Sequence, residues 1–474
     1  MRQRLKAVAV MVMFTAPELG AQELPSAMAK GIDSIFAAYS SAGGPGCAVG
    51  VYQNGTTTFA RGYGLANITN EVPITPTTRF TTGSVSKQFT AASIALLVGA
   101  GKLSLDDDVR KYIPELVDYG TPIKIRHLVH HTSGLRDFWE LVDLAGMRPD
   151  DGYTVDDMLA LAAKQKGLNF PPGSEYRYSN TGYLVMGVVV KRVTGQSLRQ
   201  FADSAIFKPL GMTETLFLDD HNEIAPRRAV AYSPFGKRWK INVWNNDLVG
   251  QGGIVTSLAD LQKWDENFYS GKLGGKAFVD LVQTTERLSG GGENNYAFGL
   301  TVQSYRGQRL VQHTGATGGY RAALYRFPDQ HTSFAMMCNV SAANTGAMAL
   351  RMADAVLGAG ELAKLDGVPV TRAPGRSMAT LNLRTSAAGL PGRYVSAELD
   401  DAVWQVVPGA DSSHLEVRRP RHDPLVLVAS APREYATPDT TVRVLFDATV
   451  KGSAPGFRVY GSRVSGLRFT RIAP

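Results

Sequence analysis

The hydrophobic and polar positions at the start of the chain predict a helix followed by a β-hairpin. Residues 24–42 carry apolar side chains at helical spacing. Two runs with strand character follow, 46–53 and 56–63. The Asn54-Gly55 pair between these runs is a strong signal for a tight hairpin turn.

The next stretch predicts a mainly helical middle enclosed by strands. A buried helix is expected over 84–100, and helical patterns dominate from about 105 to 270. Strands and a last helix then follow, at 310–315, 319–327, 332–340 and 342–358. Because strands come from both ends of this stretch, we expect one sheet into which the helical part is inserted.

The last part of the chain has a different pattern. Residues 366–388 are rich in Pro, Gly, Arg, Ser and Thr, which is typical of a linker. Residues 389–474 contain about seven short alternating strands and no helical period, which predicts a small antiparallel β-barrel. The strands are expected at 392–399, 403–407, 414–418, 424–428, 441–446, 457–460 and 466–472.

The first 21 residues have the layout of a secretory signal peptide. Arg2, Arg4 and Lys6 precede an apolar stretch at 7–16, and small residues up to Ala21 offer a cleavage position. We therefore expect an exported protein, periplasmic or secreted, whose first structural unit covers 22–365.

Composition and charge exclude several classes of protein. The 474 residues are 44% hydrophobic and 19% charged, which is ordinary for a globular chain. The formal net charge of +8 is spread along the sequence, so nucleic-acid binding is not expected. No apolar run reaches the ~18 residues that a membrane helix needs, so no integral membrane segment is expected after signal removal.

The cysteines and histidines suggest no metal or cofactor. Cys47 and Cys338 each lie in a strand-like run, so they form either a disulfide between neighbouring strands or two buried free thiols. His127, His130 and His131 lie close together but lack a metal-ligand motif such as HExxH. We expect neither a metal site nor a cofactor.

The first candidate for chemistry is an SxxK motif at the start of the helix predicted over 84–100. Ser84 and Lys87 are about one helical turn apart on one face. An amine whose pKa is lowered by burial can remove the proton of a serine hydroxyl and make it a nucleophile. The alternative interpretation is an ordinary N-cap serine.

Two further motifs are candidates for chemistry once they are considered together with the SxxK motif. Tyr178 and Asn180 lie on a turn before an apolar helix, where a phenol can carry a proton and an amide can orient a base. The segment 313–319, HTGATGG, ends a predicted strand and can present backbone N–H groups to an oxyanion. Taken singly, these are as well explained by a core tyrosine and a glycine-rich turn.

In order and spacing, the three motifs resemble the serine β-lactamase and penicillin-binding-protein superfamily. The likeness is to its class C β-lactamase-related hydrolases, which include D-aminopeptidases, D-Ala-D-Ala carboxypeptidases and esterases. Two further runs support it, HLVHHTSGL at 127–135 and GQGGIVTS at 250–257. The resemblance covers residues 30–358. It implies an α/β (α+β) fold, an antiparallel sheet flanked by helices with a helical subdomain, followed here by the lipocalin-like barrel.

The resemblance also implies roles for individual residues. Ser84 is expected to attack a carbonyl and form an acyl-enzyme. Lys87 and Tyr178 are expected to share the general-base role, and Asn180 to hold Lys87 and the substrate amide. The backbone N–H groups of Ser84 and Ala316 are expected to form the oxyanion hole.

The main departure from the superfamily pattern is His313, where most β-lactamases carry lysine. With Thr314 and Gly315 it belongs to the expected substrate-binding strand. An imidazole is largely neutral at pH 7, so it attracts the carboxylate of a β-lactam less well than an ammonium group. Arg321 is a candidate to replace the lost charge.

These observations predict a serine hydrolase that acts on amide or ester bonds, with D-amino-acid peptides, peptidoglycan-derived peptides or small esters as substrates. The alternatives are a class C-like β-lactamase and a penicillin-binding sensor with little turnover. An α/β-hydrolase is excluded because the chain has no GxSxG motif. The barrel is expected to cover the cleft and limit substrate size; otherwise it is a stability or attachment module.

Overall fold

The computed structural model describes residues 23–40, 43–361, 387–411 and 413–472. The predicted signal peptide lies outside these ranges, and so does the predicted linker 366–388 except for its last two residues. Within the described ranges, no helix has the length and apolar character needed to cross a membrane. The proposed domain boundaries stay predictions.

The helices and strands are numbered in chain order. The described helices are α1 Ser26–Ser40, α2 Lys87–Gly99, α3 Ile125–Val129, α4 Phe138–Leu144, α5 Val155–Ala163, α6 Asn180–Thr194, α7 Leu198–Ala202, α8 Lys208–Leu210, α9 Leu258–Ser270, α10 Gly275–Val282 and α11 Thr345–Glu361. The strands before the barrel are β1 Cys47–Gln53, β2 Thr56–Tyr63, β3 Leu65–Asn67, β4 Val72–Pro73, β5 Phe80–Thr81, β6 Leu216–Phe217, β7 Tyr232–Phe235, β8 Arg238–Ile241, β9 Ile254–Thr256, β10 Thr301–Tyr305, β11 Gln308–Thr317, β12 Tyr320–Phe327 and β13 Thr332–Cys338.

The main sheet has six antiparallel strands in the order β10-β11-β12-β13-β1-β2. Strand β1 lies between β2 and β13, so the sheet joins the two ends of the first structural unit, and the helices α2–α10 are inserted between them. This confirms the predicted architecture. The edge strand β10 was not predicted, because its residues are only half-buried or exposed and show no clear alternation.

Helices cover both faces of this sheet, which is why its central strands are buried along most of their length. On one face Val49 and Met336 pack with Phe36 of α1 and Met352 of α11. On the other face Ala48 belongs to the larger core formed with α2, α6 and α9. All seven residues of β13 are buried.

Cys47 and Cys338 form a disulfide. They are directly opposite each other in the pairing of β1 with β13, and both side chains are fully buried. Of the two alternatives that the sequence left open, the structure has the disulfide. It joins the two ends of the unit that carries the sheet.

The C-terminal part is a closed eight-stranded antiparallel barrel, which confirms the predicted fold class. Its interior is filled by aromatic side chains, each almost fully buried. These are Tyr394, Trp404, Tyr435, Phe446, Phe457 and Phe469. The barrel strands are β14 Gly392–Ser396, β15 Ala402–Pro408, β16 His414–Arg418, β17 Leu425–Ala431, β18 Glu434–Ala436, β19 Arg443–Phe446, β20 Gly456–Tyr460 and β21 Leu467–Arg471. The unpredicted strand is β18, which is only three residues long.

The barrel packs on the helical part through buried polar contacts. The Arg136 guanidinium donates to the Glu398 carboxylate at 2.8 Å, and both side chains are almost completely buried. The Trp404 indole N–H donates to the Leu144 carbonyl at 2.8 Å. These contacts bring the β20–β21 connection, residues 461–466, to the edge of the cleft.

Candidate active site

A cavity of about 760 Å³ lies between the main sheet, the helical part and the barrel. Seven of the eight residues predicted from the sequence line it, and they are Ser84, Tyr178, Asn180, His313, Thr314, Gly315 and Ala316. The eighth, Lys87, is fully buried directly beneath Ser84. The structure therefore brings all the predicted site residues together, although their roles remain predictions.

Ser84 lies on a short 3-10 turn, Gly83–Ser86, that leads into α2. Gly83 has a φ of +53°, a backbone conformation that favours glycine. A Cβ atom at Gly315 would come within 1.9 Å of the Thr82 carbonyl oxygen. The turn and β11 thus approach so closely that only glycine fits at position 315.

This close approach creates a place for an oxyanion. Strand β10 pairs with β11 only as far as Gln312, so residues 313–317 are unpaired on the side that faces the turn. There the backbone of Ala316 lies next to that of Gly83, and the backbone of Gly315 lies next to that of Ser84. Two backbone N–H groups in such a position can stabilise the negative charge that develops on a carbonyl oxygen.

The Lys87 amine is placed to act as a base. Its Nζ lies 3.2 Å from Ser84 Oγ, 2.8 Å from Asn180 Oδ1 and 2.6 Å from the Gln251 carbonyl oxygen. Burial lowers the pKa of Lys87 well below its ordinary value, with Arg463 adding to this and Asp137 opposing it. A neutral amine has two N–H groups, which match the two carbonyl oxygens, so its lone pair is left for the Ser84 hydroxyl proton.

Asn180 can present its oxygen to Lys87 because a buried carboxylate fixes its orientation. Asp137 Oδ2 accepts hydrogen bonds from the Asn180 backbone N–H at 2.7 Å and from its side-chain Nδ2 at 2.8 Å. The other oxygen, Oδ1, accepts from the Trp139 backbone N–H at 3.0 Å. Since Asp137 accepts only from the amide nitrogen, the amide oxygen must face Lys87.

The phenol of Tyr178 completes the group around the nucleophile. Lys87 Nζ lies 4.8 Å from the centre of its ring. Burial raises the pKa of Tyr178, an effect that Ser84 and Arg463 partly oppose, so the phenol is protonated at neutral pH. It is therefore suited to donate a proton rather than to start as a base.

His131 supports the turn that carries Tyr178 and Asn180. It is fully buried with a φ of +58°, and its Nδ1 accepts a hydrogen bond from the Ser179 backbone N–H at 3.1 Å. Its ring lies 4.3 Å from that of Tyr178, centre to centre. His131 thus gives the run at 127–135 a structural role in holding the turn that carries Tyr178.

Both ring nitrogens of His313 are engaged within the protein. Nδ1 lies 2.5 Å from the Thr314 carbonyl oxygen, so it carries the proton, and Nε2 then accepts from the Tyr296 hydroxyl at 2.9 Å. Burial, together with the nearby Lys87, lowers the pKa of His313 to about 4. The imidazole is neutral at pH 7, as its replacement of lysine led us to expect.

Two residues of the site were missed by sequence reasoning. Asp137 stands two positions after the run at 127–135, and nothing in its local pattern marks it as different from a helix cap. Arg463 comes from the barrel, and its guanidinium lies 5.0 Å from the centre of the Tyr178 ring. The proposed charge replacement Arg321 also lines the cavity, but it donates to the carbonyls of Gly318 and Tyr320.

The histidines considered as metal ligands have other partners. His130 Nδ1 bonds the Tyr296 carbonyl, and His127 Nδ1 accepts from the Lys124 backbone N–H. In the described part of the chain, one group of three side chains could reach a common ion, and it consists of Asp220, His221 and Asp247. Exposed groups of this kind are common without a metal, so we assign none.

A protein-family model matches the part of the chain that carries the site. The family model described as Beta-lactamase matches residues 32–359, more than half of the chain. The chain belongs to the beta-lactamase family. The match ends with α11 and excludes the barrel, so family membership covers the sheet, the inserted helices and every predicted site residue.

Among curated members of this family, similar relatives are D-aminopeptidases from Brucella. The protein from Brucella canis is 30% identical over 318 residues, which is 66% of this chain and 60% of the relative. The protein from Brucella anthropi is 29% identical over 313 residues. The chain thus spans about 60% of the length of the D-aminopeptidase relatives that it matches.

Solved structures support the same fold. An octameric penicillin-binding protein homologue from Pyrococcus abyssi has a TM-score of 0.62 and 22% identity, and the match covers 94% of this chain and 99% of that one. The D-amino acid amidase from Ochrobactrum anthropi has a TM-score of 0.59 and 22% identity, over 70% and 99% of the two chains. At this identity the likeness concerns the fold alone.

Proposed function

We propose that this protein is a serine hydrolase that cleaves amide or ester bonds through an acyl-enzyme, with D-amino-acid-containing peptides or small esters as substrates. The observation that carries the proposal is the set of partners of Lys87. Its Nζ lies within hydrogen-bond distance of two carbonyl oxygens and of Ser84 Oγ. In the neutral amine the two oxygens take the N–H groups, and the lone pair is left for the Ser84 hydroxyl proton.

Acylation follows from this arrangement. Ser84 Oγ attacks the substrate carbonyl while its proton passes to Lys87 Nζ, and the carbonyl oxygen becomes an oxyanion held by the backbone N–H groups of Ser84 and Ala316. The Tyr178 phenol gives its proton to the leaving group and regains one from Lys87. The leaving group departs on the side of Tyr178, and Lys87 is neutral again.

Deacylation uses the same groups in reverse. A water molecule attacks the acyl carbonyl and loses its proton to the Tyr178–Lys87 pair, and the Ser84–acyl bond breaks with return of a proton to Ser84 Oγ. Asn180 holds Lys87 throughout and offers its amide to the substrate. No metal or cofactor is needed for any of these steps.

The substrate class and the location are supported by different observations. The D-aminopeptidase relatives favour D-configured amides. The buried disulfide favours an oxidising compartment and therefore export. Peptidoglycan-derived peptides belong to the candidate substrates on the same grounds.

The test is to measure hydrolysis of D-alanine p-nitroanilide, a short-chain p-nitrophenyl ester and a chromogenic cephalosporin, and to label the protein with a fluorophosphonate. We expect Ser84→Ala to lose labelling and at least about 10³-fold in kcat/KM with the fold unchanged. The control is Ser34→Ala, since Ser34 lies on α1 away from the site. An adduct located on Ser86 or Ser257 by mass spectrometry would overturn the assignment. Preference for the cephalosporin over both other substrates would favour the β-lactamase alternative.

A further inference from the structure

The wall of the cavity has an unusual charge balance. Three arginines line it, Arg228, Arg321 and Arg463, while no aspartate or glutamate is among the described residues of the wall. Asp137 lies behind the wall, almost fully buried, and its oxygens accept from Asn180 and Trp139. The described wall thus carries positive charge and no carboxylate, although Asp137 lies 3.9 Å from Arg463 on the buried side.

Of the three, Arg463 is the one placed beside the reacting groups. Its guanidinium lies over the ring of Tyr178, whose hydroxyl is beside Ser84. Its side chain is 42% exposed, and its Nη1 is 3.9 Å from Asp137 Oδ2, beyond hydrogen-bond distance. N–H groups of Arg463 are thus available to a bound molecule. The Tyr178 ring lies between the Arg463 guanidinium and Ser84.

The backbone of Arg463 is held firmly although it comes from the barrel. The Glu140 carboxylate of α4 accepts from the backbone N–H groups of Ser462 and Arg463 at 2.8 and 2.5 Å. The Arg463 carbonyl accepts from Asn169 Nδ2 at 2.8 Å and from the Asp137 backbone N–H at 3.3 Å. A side chain that starts from a fixed backbone loses less entropy when it binds an ion.

These charges distinguish between classes of substrate. The leaving group of a substrate can carry an anionic, a neutral or a cationic substituent close to the scissile bond. An ammonium group on the leaving-group side would lie near the Arg463 guanidinium, which is unfavourable because like charges repel. A carboxylate would instead be attracted, and a guanidinium can bind it through two parallel hydrogen bonds.

We propose that Arg463 anchors a carboxylate on the leaving-group side of the scissile bond, so that the enzyme selects substrates with an anionic leaving group and disfavours those with an ammonium group there. This rests on the proposed acyl-enzyme function, in which Tyr178 faces the leaving group. The barrel then contributes directly to specificity.

The experiment uses three thioesters of N-benzoyl-D-alanine that differ only in the charge of the leaving thiol. The thiols are thioglycolate, which is anionic, methyl thioglycolate, which is neutral, and 2-(dimethylamino)ethanethiol, which is cationic at neutral pH. Each kcat/KM is divided by the rate of hydroxide-catalysed hydrolysis of the same thioester to remove differences in reactivity. We expect the anionic thioester to exceed the neutral one about tenfold, and the cationic one to fall below it.

The variants test whether Arg463 is responsible. Arg463→Gln is expected to bring the ratio of anionic to neutral kcat/KM close to one, and Arg463→Lys, which keeps the charge but lacks the planar fork, to give an intermediate ratio. Arg458→Gln is the matched control, because Arg458 is an exposed residue of β20 and should keep the wild-type ratio. Circular dichroism confirms that each variant is folded.

The outcomes separate this inference from the proposed function. If the neutral thioester is hydrolysed in a Ser84-dependent way but the wild-type protein shows no preference for the anionic one, the inference is wrong and the proposed function stands. If the preference exists but survives in Arg463→Gln, Arg463 is not the anchor and the proposal is likewise overturned. If no thioester is hydrolysed in a Ser84-dependent way, the proposed function itself fails.

Discussion

Asp137 is a negative charge in the interior whose hydrogen bonds all come from backbone and amide N–H groups. Its contacts with Asn180 decide which end of that amide faces Lys87. Its charge also works on Lys87 from a distance, since it opposes the lowering of the Lys87 pKa by burial. Asp137 is therefore a positioning residue that affects both the geometry and the protonation of the proposed base.

The first residue-scale prediction concerns Asp137→Asn. The variant amide can turn its own oxygen or its NH₂ toward Asn180, so the Asn180 side chain loses its single orientation, and we expect kcat/KM on its plateau to fall about ten- to a hundredfold. Removing the negative charge also lowers the pKa of Lys87 further. Because activity requires the neutral amine, the acid limb of the pH profile should move to lower pH.

The pH profile distinguishes this role from a merely structural one. A variant that only loosens the fold lowers activity at every pH and leaves the acid limb in place. Asp137→Glu keeps the charge and should keep the limb near its wild-type position. A limb that moves to higher pH in Asp137→Asn would contradict the electrostatic effect assigned to Asp137.

The second residue-scale prediction concerns His313→Lys. The neutral imidazole supplies no charge to the substrate side of β11, whereas an ammonium group there can bind the carboxylate of a β-lactam. We expect kcat/KM for a cephalosporin to rise about ten- to a hundredfold and that for a neutral ester to fall. His313→Gln, which adds no charge, serves as the comparison. Unchanged kinetics with both substrates would mean that position 313 does not act on the substrate.

At the scale of elements, the site depends on the contact between the 3-10 turn and β11. The turn is fixed to β9, because Ser86 Oγ accepts from the Ile254 backbone N–H at 3.0 Å and donates to the Gly83 carbonyl at 2.6 Å. Strand β11 is fixed in the sheet by β12. Two independently anchored elements thus bring Ser84 and Ala316 together, and glycine at 315 makes the approach possible.

The element-scale prediction is that Gly315→Ala separates the turn from β11. Its Cβ would collide with the Thr82 carbonyl, and neither element can give way easily. With the oxyanion donors displaced, we expect kcat/KM to fall about 10²- to 10³-fold. The matched control is Gly99→Ala at the end of α2, where a Cβ meets nothing within 4 Å; it should keep full activity. Full activity of Gly315→Ala would show that the close approach is not needed.

At the scale of the whole molecule, the disulfide and the proposed active site occupy different places on the main sheet. The disulfide joins residues 291 positions apart, on the face of the sheet covered by α1 and α11. The proposed active site lies across the sheet, among the residues of the larger core. The disulfide and the proposed active site thus lie on opposite faces of the same sheet.

The prediction at this scale is that the double variant Cys47→Ala with Cys338→Ala loses stability and keeps its activity. A link across such a long segment restricts the unfolded chain, and its removal should lower the free energy of unfolding by about 2–5 kcal/mol. Urea denaturation measures this, and kcat/KM at 25 °C should stay within about twofold of the wild type. A large loss of kcat/KM in the folded variant would contradict the separation of the two faces.

Most of the barrel strands could be predicted from the sequence, but the contribution of the barrel to the cavity could not. Its strands could be predicted because each alternates in its own short window, but the three-residue β18 is too short to show a period. That the barrel covers the cleft and limits substrate size stays a prediction. The structure shows that a barrel loop also contributes Arg463 to the cavity wall.

By itself the sequence determined the outer strands and helices of the first unit, seven of the eight barrel strands, the joining of both ends of the first unit in one sheet, and the candidates Ser84, Lys87, Tyr178 and Asn180. These follow from local periods and from short motifs whose residues are close along the chain. Only the tertiary structure decided that the two cysteines are bonded, that Asp137 orients Asn180, and that Arg463 reaches the site. The physical reason is distance along the chain: Arg463 is held by Glu140, 323 positions away, and no local pattern records such a contact.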